Sequence, residues 1–259
     1  MSGTLVVKVG GSCLTDLPPP WWDDLARQAR DRRLLLVHGW SGPLRRLDPR
    51  HGTPSAFLLD RFGNRSRWTT ETVLRDIEKV SDLIADEMTG LLRARGVTLT
   101  RCPGSDGLLR AGPGERWWWR DKQLVELDNL VGPIVGVNLD RLPDGSSCLL
   151  ITPLARDPAG RVVNSDADRA AAALAGAAGA DCLVLVTDVP YVLREGTPIR
   201  HLNAAQARDF RDRGATGGMR KKLRAAGEAL AAGVEQVVLG NASVSELIDG
   251  TSGTSITKN

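Results

Sequence analysis

A short run from Leu5 to Val9, apolar except for Lys8, passes directly into Gly10-Gly11-Ser12, and a second run, Leu34 to Val37, ends at His38-Gly39. Apolar runs of this length that stop at glycine read as buried strands. Between them, behind a triple proline at 18–20, Trp21 to Arg32 reads as a helix. Two parallel strands need a crossover of a dozen or more residues, so strand, glycine loop, helix and strand in this order predict an α/β fold with a parallel sheet.

The rest of the chain continues the pattern. Residues 43–68, rich in Arg, Pro and Gly, show no clear period and read as loops with at most a short helix. Val73, Ile77, Val80, Ile84, Met88 and Leu91 recur at helical spacing, so a long amphipathic helix runs from Thr70 and stops before Gly96. Val97 to Arg101 reads as a strand, and Arg116-Trp117-Trp118-Trp119-Arg120 with Gln123 to Leu127 as a hairpin turning at Asp121-Lys122. Leu149 to Thr152 is a further strand, followed by a hairpin through Asp157-Pro158-Ala159-Gly160. An alanine-rich helix from Ser165 to Ala178, a strand from Cys182 to Thr187, helices at Asn203–Arg213 and Met219–Ala232, and strands at Val237–Leu239 and Thr254–Ile256 complete the reading. The expected division is near residue 153, into lobes 1–153 and 154–259 that share one sheet.

Composition narrows the chemistry. The 259 residues, 42% hydrophobic and 25% charged, suffice for one large domain or two lobes. Net charge is only +3, from 34 basic against 31 acidic residues, with no polybasic footprint for nucleic acid. No apolar stretch approaches the roughly 20 residues that span a bilayer. Three histidines leave little material for a zinc centre or a Ser-His-Asp relay, and the four cysteines, at 13, 102, 148 and 182, form no Cys-x-x-Cys pair. That usage points to a reducing, cytoplasmic compartment. Only six of the 34 basic residues are lysines, at 8, 79, 122, 221, 222 and 258. A lysine kept in an arginine-rich chain suggests a compact ammonium needed at one place, because a planar guanidinium does not replace it there.

Four segments carry candidate chemistry. In Lys8-Val9-Gly10-Gly11-Ser12, two glycines after a buried strand let the backbone approach an anion, with Lys8 within reach; read blandly, the segment is a strand end and a tight turn. In Asn164-Ser165-Asp166-Ala167-Asp168, Ser165 and Asp168 match a capping box, which leaves Asn164 and Asp166 unexplained. In Gly217-Gly218-Met219-Arg220-Lys221-Lys222, helical spacing puts Lys222 on the face of Met219, Leu223, Ala226 and Leu230, so it points inward while Lys221 points out. An inward lysine in a first helical turn opposes the helix dipole and needs an anion or carboxylate; the alternative is a snorkelling surface lysine. Leu183 to Thr187, then Asp188-Val189-Pro190-Tyr191-Val192, suits a nucleotide at the carboxyl edge of a parallel sheet.

In this order the segments resemble the amino acid kinase family, through VVKVGGS at 6–12, LLLVHGWSG at 34–42, VVNSDADRAAAALA at 162–175, LVLVTDVPYVL at 183–193, GATGGMRKKL at 214–223 and GTSITK at 253–258. The similarity is to the branch containing acetylglutamate kinase and the kinase of carrier-linked aminoadipate. No Walker-type phosphate loop is present, in keeping with that family. The resemblance implies a three-layer αβα sandwich of two lobes, with an acceptor-binding and dimerising N-terminal lobe, an ATP-binding C-terminal lobe and a homodimeric assembly. It implies phosphoryl transfer from ATP, with Mg2+, to the side-chain carboxylate of an N-blocked acidic amino acid. The acceptor is free or borne on an acidic amino-group carrier protein, and the product is an acyl phosphate.

By position, the resemblance makes Lys8 and Lys222 the groups that neutralise the phosphoryl group and Asp168 the group that orients both. Gly10, Gly11 and Gly39 offer backbone donors. Ser12, Thr187, Asp188, Tyr191, Val192, Gly214, Ala215 and Thr216 line the nucleotide with Gly10 and Gly11. Gly39, Trp40, Ser41, Arg67 and Asn164 serve the acceptor, and no metal-ligand set is expected. Trp40 departs from the family's glycine run, and its indole is expected to block or reshape the acceptor's approach. The family's substrate-facing asparagine on the long helix falls near Ala85. Five of seven tryptophans, at 40, 68, 117, 118 and 119, lie in loops or the hairpin of the N-terminal half. They read either as alternate residues packing on the core or a dimer interface, or as a lid or docking surface with Arg116 and Arg120. Two alternatives stand beside the kinase: a small phosphate-ester kinase like isopentenyl phosphate kinase, for which His51 would be the extra histidine, and a non-catalytic ATP-binding sensor.

Overall fold

The structure, a computed structural model, describes residues 3–14, 16–61, 63–120 and 122–259. Two strands set its layers: β1 (Thr4–Val9) and β2 (Arg33–His38) lie parallel and adjacent, with Val7 opposite Leu36. Leu5, Val7 and Val9 with Leu34 and Leu36 enter one apolar layer, and Val6 with Leu35 and Val37 enter the other. That alternation is the period-two geometry of a strand, and burial on both faces explains why the runs are apolar almost throughout.

Among the described residues the helices are α1 (Pro19–Asp31), α2 (Ser41–Leu47), α3 (Glu71–Arg93), α4 (Ala167–Ala177), α5 (Ala204–Arg213), α6 (Gly217–Ala231) and α7 (Val244–Ile248). The first layer takes Trp21, Trp22 and Leu25 of α1, Leu44 of α2, Ile77, Ile84 and Met88 of α3, and Leu247 of α7. The second takes the alanines of α4, Ala207 and Phe210 of α5, and Leu223, Ala226 and Leu230 of α6.

The eight-stranded sheet between them runs in the order His201–Asn203, Thr254–Thr257, Gln236–Gly240, Cys182–Val186, β1, β2, Cys148–Thr152, Thr100–Pro103. All neighbours are parallel except Gln236–Gly240 with Thr254–Thr257. This is an αβα sandwich, and β1 stands beside strands from both halves of the chain.

The helix ends follow their local sequence. Thr70 Oγ1 accepts from Val73 N at 3.4 Å to open α3, and Gly96 beyond its end has φ +75°, which a residue with a side chain rarely adopts. Reciprocal capping boxes, Asn203 with Gln206 and Ser243 with Glu246, open α5 and α7.

The structure corrects several expectations. Residues 43–68 are not mainly loop: besides α2 they hold an antiparallel pair, Phe57–Asp60 with Arg65–Arg67. Its alternation is hidden because arginine lines it, with the Arg65 guanidinium 3.6 Å from the centre of the Phe57 ring. The strand expected at Val97–Arg101 begins at Thr100; Val97 and Leu99 are buried against α3 as loop residues, which mimics a strand in the sequence. The tryptophan hairpin forms, Trp117–Arg120 on Gln123–Glu126, and joins the Phe57–Asp60 strand; of its turn, Asp121 lies outside the described residues. Trp118 is buried, whereas Trp117 and Trp119 are exposed, so only the middle indole packs inward. Among the described residues no helix is long and apolar enough to cross a membrane.

At the carboxyl ends of β1 and β2 the two following loops touch through their backbones. Gly42 N donates to Gly11 O at 2.9 Å. A Cβ on Gly42 would stand 2.3 Å from Gly11 O, and one on Gly11 would stand 2.5 Å from Ser41 N. These glycines are required for close approach. Gly42→Ala is therefore expected to lower stability by about 2 kcal/mol or more in urea unfolding. Gly227→Ala, inside α6 where an added Cβ meets nothing within 4 Å, should raise it by about 0.5–1 kcal/mol.

Candidate active site

Lys8 belongs to the face of β1 that carries Val6, toward α4 and α6, and is 5% exposed. Asp168 sits in the first turn of α4 and Lys222 in the second turn of α6. The helices meet closely because α4 presents alanines: a Cβ on Gly176 would stand 2.4 Å from the Ala232 Cβ. Arg169 Nε, bonded to Glu228 Oε2 at 2.8 Å, ties the two together at their edge. The consequence is a buried cluster. Lys8 Nζ lies 2.7 Å from Asp168 Oδ1, and Lys222 Nζ donates to Asp168 Oδ2 at 3.1 Å and Oδ1 at 3.3 Å.

One carboxylate between two ammonium groups leaves an excess positive charge out of water. Burial alone would push the Asp168 carboxyl up, but the charges of Lys222 and Lys8 and their hydrogen bonds hold it well below the usual carboxylate range. Burial is also the largest influence on Lys8 and, with Lys222 adding to it, carries that ammonium below its ordinary value despite Asp168. Burial opposes the charge on Lys222 too, yet Asp168, with Asp166 behind it, lifts that group above its ordinary value. The exposed Lys221 lies 3.6 Å from Asp166, so the inward and outward lysines fall as helical spacing requires.

The capping-box reading of Ser165 and Asp168 is corrected. Asp166 is the cap of α4, its Oδ1 accepting from the N–H groups of Asp168 and Arg169, and Ser165 Oγ donates to Pro153 O at 2.6 Å. The Asp168 carboxylate is thereby left to the lysines.

The glycine loops need a second correction. The N–H groups of Gly10 and Gly39 are taken within the sheet, by Val186 O at 3.2 Å and Val9 O at 2.9 Å, so neither is a free donor. Among the described residues those of Gly11, Ser12 and Ser41 have no backbone acceptor. The indole of Trp40 does not stand in an approach: it is 6% exposed, packs in the α1 and α3 layer, and meets the His38 ring edge-on at 6.0 Å.

On the nucleotide side, Thr187 is buried and donates to Asp188 Oδ1 at 3.1 Å. Tyr191 lies under the Arg200 guanidinium, at 5.4 Å. The Val192 side chain is fully buried in the core, its N–H donating to Thr254 Oγ1, so it does not line an open site. Gly214 and Thr216 are exposed and Ala215 half-buried ahead of α6, whose cap residue Thr216 makes no side-chain capping bond.

Arg67 and Asn164 are joined through a residue between them. Asn164 Nδ2 donates to Thr69 Oγ1 at 3.1 Å, and Thr69 Oγ1 donates to Arg67 O at 3.3 Å. Asn129 completes the group, accepting from Thr69 N at 2.7 Å and donating to Arg67 O at 3.2 Å. Its segment, Asp128-Asn129-Leu130-Val131-Gly132, carries no motif by which the sequence signals it. The Arg67 guanidinium donates to His51 O at 3.0 Å, and burial lowers its pKa, with Arg65 and Arg45 adding to the effect. His51 itself is buried and bonded to Asp76 at 3.0 Å, so it is not presented for a phosphate ester. Ala85 is buried in α3.

Two consequences are measurable. Asp168→Asn removes the one carboxylate between two buried ammonium groups and should cost roughly 3–5 kcal/mol in urea unfolding at neutral pH; a loss below about 1 kcal/mol would mean the cluster is not buried as described. His38 is fully buried, its Nδ1 without a partner among the described residues, and burial lowers its pKa to about 4. The unfolded chain therefore binds one more proton than the native one between about pH 6.5 and 4, and stability falls as pH falls through that window. His38→Asn should reduce the loss between pH 7 and 4.5 by about 2 kcal/mol; an unchanged acid limb would show that His38 titrates normally.

A profile of the amino acid kinase family matches residues 3–241. The chain is 33% identical over 248 residues to an acetylglutamate kinase from Geobacillus sp. (strain WCH70), covering 92% of this chain and 90% of that protein. It is 32% identical over 263 residues to a putative LysW-aminoadipate/LysW-glutamate kinase from Pyrobaculum islandicum, covering 98% and 99%. Among solved structures, smu.665 from Streptococcus mutans UA159 superposes with a TM-score of 0.81 at 24% identity, over 100% of both chains. N-acetylglutamate synthase from Neisseria gonorrhoeae, complexed with coenzyme A and N-acetyl-glutamate, superposes with a TM-score of 0.79 at 26% identity, over 99% of this chain and 60% of that one. This chain thus spans about three fifths of the synthase's length.

Proposed function

The chain belongs to the amino acid kinase family, and from that premise we propose that it transfers the γ-phosphoryl group of ATP to the side-chain carboxylate of an N-blocked acidic amino acid. The product is an acyl phosphate serving amino-acid or specialised-metabolite biosynthesis. The observation that carries this reading is the buried Lys8, Asp168 and Lys222 cluster, an excess positive charge held at the carboxyl end of a parallel sheet. Such a cluster is unfavourable alone and favourable with an anion between the lysines.

Phosphoryl transfer depends mainly on positioning and charge stabilisation. A carboxylate oxygen attacks the γ-phosphorus, the bond to the β–γ bridging oxygen breaks, and ADP leaves with that electron pair. The attacking group is already an anion at neutral pH, so no general base is needed. Lys8 neutralises the transferring group from the β1 side and Lys222 from the α6 side, and Asp168 keeps both ammonium groups aimed. The Gly11, Ser12 and Ser41 N–H groups are the donors placed for phosphate oxygens. Thr187, Asp188, Tyr191 and the Gly214–Ala215–Thr216 loop form the nucleotide side, with Arg67 and Asn164 on the acceptor side.

Mg2+ is expected with the nucleotide. Among the described residues no three His, Cys, Asp or Glu side chains converge to hold a metal. Mg2+ is commonly held by substrate phosphates and water with one or two carboxylates, and no step is assigned to it.

The N-terminal lobe, 1–153, would take the acceptor and the homodimer contact, and the C-terminal lobe, 154–259, the nucleotide. Four free, buried cysteines accord with a reducing cytoplasm. The acceptor is read as either free or linked to an acidic carrier protein, in line with the two kinds of curated relative.

The direct test is ADP release with hydroxylamine trapping over free, acetylated and carrier-bound glutamate and aminoadipate. Hydroxamate from one acceptor is expected; ATP binding with no hydroxamate from any of them would leave a non-catalytic sensor in its place. Lys222→Arg should keep the fold and slow transfer by about a hundredfold or more, and unchanged turnover would remove Lys222 from the site.

A further inference from the structure

The acceptor grip has a hydrogen-bond polarity that is decided by residues behind it. The Thr69 backbone N–H can only donate, and it donates to Asn129 Oδ1 at 2.7 Å. The Asn129 amide is thereby oriented, and its Nδ2 meets Arg67 O at 3.2 Å. A carbonyl can only accept, so Arg67 O also takes the Thr69 hydroxyl proton, at 3.3 Å. A hydroxyl has one proton. Having given it to Arg67 O, Thr69 Oγ1 acts as an acceptor toward Asn164, whose Nδ2 lies 3.1 Å away. The remaining polar atom of Asn164, Oδ1, has no partner among the described residues and, unlike Gln28 Oε1 or His38 Nδ1, is not sealed from solvent.

Backbone bonds make the relay rigid. Leu130 N donates to Thr69 O, Asn164 N to Leu130 O and Gly132 N to Asn164 O, at 2.9, 2.9 and 3.0 Å. Thr69, Asn129 and Asn164 are 0%, 5% and 6% exposed, so a broken member is not readily replaced by water.

We propose that Asn129 and Thr69 are positioning residues that lock Asn164 with its carbonyl oxygen toward the acceptor, so that the site selects a blocked nitrogen still carrying N–H, an amide rather than an ester. This rests on the carboxylate-kinase reading and deepens it. An Asn164 oxygen facing an amide N–H gains a hydrogen bond; facing an ester oxygen it meets a second acceptor and gains none. A site built to hydrogen-bond a donor rejects the analogue that lacks it more strongly than an apolar pocket rejects a change of size.

The experiment takes the acceptor that gives hydroxamate in the panel and its ester isostere, N-acetylglutamate with 2-acetoxyglutarate or the carrier-linked amide with the matching carrier-linked ester, and compares the two by hydroxamate formation in wild type, Thr69→Val, Thr69→Ser and Asn129→Asp. Thermal melting and the KM for ATP report the fold and the nucleotide side. Wild type is expected to favour the amide by about tenfold or more in kcat/KM. In Thr69→Val, which lets the Asn164 amide turn over, the preference should fall to within about threefold, chiefly through the acceptor KM, and Thr69→Ser should restore it. Asn129→Asp, which keeps the acceptor for Thr69 N and loses the donor to Arg67 O, should raise the acceptor KM with the KM for ATP unchanged. Equal use of amide and ester by the wild type overturns the proposal without needing any variant to fold. A preference that survives in an active Thr69→Val also overturns it, and the kinase reading then stands. If wild type uses neither compound nor any other carboxylate in the acceptor panel, the kinase reading itself fails.

Discussion

Two lysines and one aspartate share a space largely shielded from water, and much of the surrounding architecture follows from making that tolerable. An ammonium or a carboxylate alone in such a place would lose its charge or unfold its surroundings. Asp168 stays a carboxylate because it is held on both sides, by Lys8 from β1 and by Lys222 from α6, and its charge in turn opposes the effect of burial on both ammonium groups. This arrangement demands that α4 and α6 run close together. The alanines of α4 and the contact of Gly176 with Ala232 let them. Larger side chains along α4 would add apolar burial and separate Asp168 from Lys222. The alanine-rich segment is thus explained by the site as much as by the core.

The loops after β1 and β2 obey a different constraint. Their glycines are needed because the two backbones touch, and the N–H groups of Gly10 and Gly39 are used inside the sheet rather than offered outward. What the loops can present is the next set of donors along the chain, at Gly11, Ser12 and Ser41. Trp40 enters this picture without obstructing it. Its side chain turns into the layer beneath the sheet, beside His38, so a bulky residue at that position enlarges the core.

Sequence periodicity was most informative where burial is two-sided and regular. The strands β1, β2, Cys148–Thr152 and Cys182–Val186 and the long α3 are apolar on the faces that need it, and they were legible almost to their ends. Legibility failed where a strand is short and its partners are not apolar. Phe57–Asp60 and Arg65–Arg67 are held by arginine stacked on phenylalanine, a pairing that carries no alternation. It failed again at Val97 and Leu99, where apolar residues are buried outside any strand. Within the site, Lys8 and Lys222 were legible because each sits badly by local rules, a lysine inside an apolar strand and a lysine on the inward face of a helix, whereas Asp168 satisfies a local rule as the last residue of an apparent capping box and stood out only through the family resemblance. Asn129 satisfies no such rule and breaks none, so nothing local distinguishes it.

The sequence by itself determined a parallel α/β fold, the order of strand, loop and helix, and which charged groups had to find partners, because burial periodicity and the cost of isolated charge act on residues one at a time or a few apart. Only the tertiary structure decided which partners they found. Asp168 lies 54 residues from Lys222, Asn164 lies 95 from Thr69, and Thr69 lies 60 from Asn129. It also decided that Asp166, and not Ser165, caps α4, leaving Asp168 free for the lysines. Hydrogen-bond partnership and polarity at those separations depend on how sheets and helices close on one another in space, a property that no local pattern contains.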